Sequence, residues 1–148
     1  MNPETWAAHR ALHGVFVQGR RGPDVQADID AARDAFLGVL SAFFRNVMER
    51  PFTGHERREE VQAYLEALQR AYPAELAALE PAPMSVFVLE QIGPDAPPPG
   101  RSRIPVTAGL VYQMRLITEY TARQEGIVGQ ELETFLLGAC ARYQQGGS

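Results

Sequence analysis

At 148 residues the chain has the length of one domain, and 45% hydrophobic against 22% charged residues excludes an intrinsically disordered protein. A lone cysteine, Cys140, excludes an intrachain disulfide framework, and a net charge of −4 argues against a surface that grips nucleic acid over its whole extent. All 14 basic side chains are arginine and none is lysine; GC-rich codon usage explains this, and the functional alternative is bidentate binding of phosphate or carboxylate.

Asn2-Pro3-Glu4 opens the first helix: a capping side chain, a proline where no N–H is needed, and a carboxylate at the positive end of the dipole. This helix is expected over about 3–18 and ends at Gly19-Arg20-Arg21-Gly22-Pro23. The next run, Asp24 to Glu49, carries Val25, Ile29, Ala32, Phe36, Val39/Leu40, Phe43 and Val47 at steps of three and four. That spacing predicts one long helix over 24–49, closed by Pro51. Thr53 and Glu56 have the spacing of a capping box before a helix over 54–72, followed by a short helical turn over 74–80.

The character changes at Pro81, because seven of the eleven prolines fall between 81 and 105. Met84 to Ile92 is β-branched and aromatic, and Arg101 to Val106 alternates polar and apolar residues. Two readings follow for the excursion at 81–106: a short β-hairpin with Pro105 on its edge strand, or an extended strap across the bundle. Helical spacing returns over 107–125, with Leu110, Met114 and Ile117, and again over 128–144, with Val128, Leu132, Phe135/Leu136, Ala139 and Tyr143. The expected fold is mainly α, a single helical domain over 1–148 with five to six helices. No apolar stretch approaches the roughly 20 residues needed to cross a bilayer, and the first twenty residues lack the pattern of a secretory signal. The expected location is cytoplasmic, with no membrane partner.

No glycine-rich phosphate loop, Cys-x-x-Cys pair or Ser/His/Asp spacing is present, so the reading leans away from an enzyme. The leading expectation is a non-catalytic binding or regulatory protein without a cofactor, homodimeric or joined to another protein through an apolar helix face. Phe43, Phe44, Phe135 and Leu137 are its candidate contacts, because both helices carry more apolar surface than one bundle face requires. One alternative is a nucleic-acid-binding regulator with Arg20, Arg21, Arg101 and Arg103 on phosphates, the last two on a basic hairpin wing. A second is a helical-bundle enzyme with zinc or iron held by His9, His13 and His55, since an i, i+4 pair projects two imidazoles from one helix face. The plainer account leaves His9 and His13 at an amphipathic edge. The aspartates at 24, 28, 30 and 34 read as a solvated helix face, and Cys140 as buried and inert.

Overall fold

The computed structural model describes residues 1–20 and 22–146. Seven helices follow one another among them, with no strand: α1 (Pro3–Phe16), α2 (Pro23–Ala32), α3 (Asp34–Met48), α4 (Arg58–Ala71), α5 (Pro81–Ile92), α6 (Ala108–Gln124) and α7 (Gln130–Gly146). No helix is long and apolar enough to cross a membrane among the described residues.

α3 is the hub, packing against α1, α2, α5, α6 and α7. Its apolar surplus follows from that position: Val39, Leu40, Phe43, Phe44, Val47 and Met48 are each 0% exposed, which a helix covered on all sides requires. Each phenylalanine so buried contributes about 1.5–3 kcal/mol. Phe16 of α1 and Phe87 of α5 close on Phe43 and Phe44 with ring centroids 5.2 and 5.5 Å apart. The apolar stripes of α4 (Val61, Leu65, Leu68), α6 (Met114, Ile117) and α7 (Leu136, Ala139, Cys140) complete the core.

Two long elements differ from the sequence expectation. The run 24–49 is broken at Arg33, whose φ of 53° and ψ of −131° turn the chain between α2 and α3. α2 thereby folds back along α1. The excursion at 81–106 contains no hairpin; Pro81–Ile92 is α5. Its prolines sit in the first turn, where the missing N–H has no intrahelical acceptor to serve. Met84, Phe87, Val88, Gln91 and Ile92 then bury one helical face, and this packing outweighs the β-propensity of the branched residues.

The chain from 93 to 107 is helix-free and laid over the bundle as a strap. The end of α5 holds it: Glu90 accepts hydrogen bonds from Ser102 Oγ and the Arg103 N–H, and Gln91 Nε2 donates to the Arg101 carbonyl at 3.0 Å. Burial works against ionisation of Glu90, but the hydrogen bonds from Ser102, Arg103 and Gln91 outweigh it and lower its pKa. The segment 74–80 forms turns, closed by the Leu76 N–H on the Tyr72 carbonyl. The Thr53 and Glu56 bonds form (Thr53 N–H to Glu56 Oε1, 2.5 Å), yet they cap a turn, and α4 begins at Arg58.

Candidate functional site

α1 ends at Phe16, and the chain turns back on itself before α2 starts at Pro23. Gly19 (φ 65°) and Gly22 (φ 102°) take left-handed backbone there, which glycine adopts without a Cβ clash. The Arg20 N–H closes the turn on the Gly14 carbonyl at 2.7 Å. α2 then runs back over α1, so Arg20 sits where the turn, α1 and α2 meet.

Two pockets open beside Arg20. The first lies under α2 and measures about 180 Å³. Leu12 and Val15 of α1, Val25 and Ile29 of α2, and Phe36 of α3 give it apolar walls, while Arg20 and Arg115 of α6 stand in its lining. No carboxylate among the described side chains lines it. Arg115 Nε is buried and makes no hydrogen bond, although its guanidinium carbon lies 5.5 Å from the centre of the Tyr112 ring. A buried donor without an acceptor costs about 1–3 kcal/mol. A charged group left so beside apolar walls is where an anion with an apolar body would be held.

The second pocket, about 270 Å³, lies on the other side of Arg20 and is polar: His9, Arg10 and His13 of α1, Gln18 and Arg20 of the turn, and Asp28 of α2. The imidazoles of His9 and His13 stack with centroids 5.8 Å apart, as their i, i+4 spacing predicts. Trp6 meets His9 edge-on at 5.8 Å. His13 Nε2 donates to Glu133 Oε1 of α7 at 2.8 Å, and Arg10 Nε donates to Asp28 Oδ1 at 3.2 Å. Burial is the largest influence on His9 and lowers its pKa, with the charges of His13 and Arg10 acting the same way and Glu133 opposing.

The three histidines do not come together. His55 is exposed in the stretch before α4, a helix that packs on α5 and α6, whereas His9 and His13 lie on α1 among α2, α3 and α7. Among the described residues no group of three or more His, Cys, Asp or Glu could hold a metal ion, so the zinc or iron site sought from the sequence is not assembled. Of the four arginines assigned to phosphates, Arg20 lines the pockets above and Arg21 lies outside the described residues. Arg101 and Arg103 sit on the strap rather than on a hairpin wing, in two clefts that do not include Arg20. The proposed partner face is likewise divided. Phe43 and Phe44 are core residues at 0% exposure and reach no partner; Phe135 is half-buried under Arg50; Leu137 is 48% exposed.

A larger cleft, about 660 Å³, opens between the start of α3, the strap and the end of α7, with Asp34, Arg101 and Tyr143 among its lining. Behind its wall Arg45 (3% exposed) donates through Nε and an NH2 group to Gln91 Oε1, at 3.1 and 2.7 Å, and to the Pro98 carbonyl at 3.3 Å. Those bonds are made within the protein and leave no request for a ligand. Arg115 is the residue that sequence reasoning passed over. It stands beside the Leu110, Met114, Ile117 stripe, and nothing in a one-dimensional pattern separates it from a solvated arginine.

No protein-family model, curated protein or solved structure matches the chain. The functional reading therefore stands on the geometry around Arg20 and Arg115.

Proposed function

We propose that the protein is a non-catalytic binding protein whose ligand is a small carboxylic acid with an apolar body, taken up beneath α2 between Arg20 and Arg115. The observation that carries this reading is Arg115, whose Nε is buried and unpartnered and whose side chain lines an apolar pocket with a second guanidinium and no described carboxylate. A bound carboxylate supplies the missing acceptor through charge-assisted hydrogen bonds. The size of the ligand follows from the volume. A cavity of about 150 Å³ holds benzene, so 180 Å³ suits one aromatic ring or a chain of about six carbons.

α2 is suited to cover such a ligand. It is bounded by Gly22 and Arg33, both at positive φ, and its side-chain tie to α1 is the Arg10–Asp28 ion pair. With Arg10 56% and Asp28 34% exposed, that pair contributes under about 1 kcal/mol. Entry beneath α2 then parts that weak ion pair and must also uncover Val25 and Ala32, which α2 buries.

Calorimetric titration with benzoate and with hexanoate tests the reading. Saturable binding of at least one is expected, with a rise in thermal midpoint and at least a tenfold loss of affinity in Arg115→Gln. Absence of binding by both, or binding indifferent to Arg115→Gln in a folded variant, would overturn it.

A further inference from the structure

The polar pocket beside Arg20 has a chemistry of its own. Arg10 and Arg20 carry fixed positive charge, Asp28 is the carboxylate among its lining residues, and it is already engaged by Arg10. Over these lining side chains the balance is one positive charge before either imidazole takes a proton, and Glu133, bonded to His13 from outside the lining, is the anion that opposes it. Guanidinium groups offer donors and no lone pairs, so they repel a cation and welcome an anion. The donors are carried by two elements: two guanidiniums, the Gln18 amide and the stacked His9 and His13 rings, spread over α1 and the turn. A planar carboxylate satisfies one fork of donors, whereas a tetrahedral oxyanion presents acceptors to several at once.

We propose that the pocket formed by α1, the 17–20 turn and α2 binds a phosphate group, with affinity that rises as pH falls. The proposal does not depend on the acid site under α2, although Arg20 borders both. At about 270 Å³ the pocket has room for the group together with water or the start of an ester substituent. Free phosphate and a phosphomonoester share the chemistry recognised.

The charges facing the histidines set the direction of the pH effect. On α1 itself these are Arg10 and the partner imidazole; α7 brings Glu133, the turn brings Arg20 and α2 brings Asp28, while α3 meets α1 through the apolar Phe16–Phe43 contact. Glu133 takes the Nε2–H of His13, which leaves Nδ1 as the free nitrogen of that ring. Burial and the neighbouring positive groups disfavour the His9 imidazolium in the free protein. An oxyanion placed among them reverses that field, so anion binding takes up protons and strengthens as pH falls.

The test is isothermal titration of the full chain with inorganic phosphate, phenyl phosphate and sulfate at constant ionic strength in chloride. Sulfate keeps its charge between pH 5.5 and 8 and isolates the titration of the protein. The expected results are saturable phosphate binding at pH 7, sulfate affinity at least tenfold higher at pH 5.5 than at pH 8, and a tenfold loss in Arg20→Gln. The double variant His9→Gln/His13→Gln should lose the pH dependence; if it fails to fold, His9→Gln alone should reduce it. Tighter binding of phenyl phosphate identifies an ester as the ligand, and weaker binding identifies free phosphate. Arg115→Gln should bind phosphate normally while losing benzoate, so the two sites fail separately. Undetectable phosphate and sulfate binding, a pH dependence that survives removal of both histidines, or zinc binding in place of anion binding overturns the proposal.

Discussion

Replacing Gln91 by leucine should be far more damaging than removing the arginine it serves. Arg45 is 3% exposed, and its hydrogen-bond acceptors are two neutral oxygens, Gln91 Oε1 and the Pro98 carbonyl. Gln91 Oε1 also receives Ser41 Oγ at 3.1 Å. Burial, then the charge of Arg142, pushes the Arg45 pKa down to about 10, with Glu49 and Glu90 opposing. That downward shift corresponds to roughly 3 kcal/mol spent at neutral pH on keeping the side chain charged. Because the unfolded chain holds that proton more tightly, this cost fades, and stability rises, as pH climbs above about 10. Gln91→Leu strands a buried guanidinium and should cost about 3–5 kcal/mol, a large share of an ordinary stability of about 5–15 kcal/mol. Arg45→Met removes the charge together with its bonds and leaves Gln91 paired with Ser41, so it should fall within about 1 kcal/mol of the parent. The double variant Arg45→Met/Gln91→Leu should recover most of what Gln91→Leu loses. Urea denaturation followed by far-ultraviolet circular dichroism measures all three, provided the slope with denaturant stays constant. A Gln91→Leu cost below about 1 kcal/mol, or an Arg45→Met cost as large as that of Gln91→Leu, would refute the argument.

Two glycine exchanges test the joints around α3. Gly38→Ala should gain up to about 1 kcal/mol from helix propensity, but its Cβ would run into the ring of Tyr143, and overpacking costs about 1–3 kcal/mol. A net loss of about 1 kcal/mol is expected, turning into a gain in a Tyr143→Ala background; the same sign in both backgrounds by urea denaturation would exclude the steric account. Arg33→Gly should raise stability by about 1 kcal/mol, because Arg33 is exposed and held at φ 53°, a strain of about 1–3 kcal/mol for a residue with a Cβ, partly offset by the entropy of glycine. Scanning calorimetry should show a midpoint higher by about 2–4 °C, and a lower midpoint would show that the turn is not strained.

The helices that depend on local signals were legible. Asn2 accepts the Thr5 N–H at the start the capping pattern indicated, and the stripes of α4, α6 and α7 face the core. α5 was misread because proline content was weighed above period: Met84, Phe87, Val88, Gln91 and Ile92 stand at i, i+3, i+4, i+7 and i+8, a helical face in full view. The reading of Phe43 and Phe44 failed for a different reason. Apolar surplus on a helix reports how much of it is covered and not by which chain, and α3 has neighbours enough within its own chain to cover both rings.

The site was legible residue by residue but not as a place. His9, His13 and Arg20 were each marked by chemistry, yet they were assigned to a metal set and a nucleic-acid patch that the fold does not build. What joins them is the break at Arg33, where the spacing Ile29, Ala32, Phe36 continues across the joint without a glycine or proline to announce it. An unbroken helix would carry Asp24 to Glu49 away in one line, leaving Arg20 on an open turn and Leu12, Val15 and Phe36 without a cover. With the break, α2 returns over α1, closes the apolar pocket toward Arg115 and sets Asp28 against Arg10. Such a turn costs backbone strain of about 1–3 kcal/mol and is repaid by burial of Val25 and Ala32. Tertiary packing selects it, and no window of sequence around residue 33 contains the partners that do so.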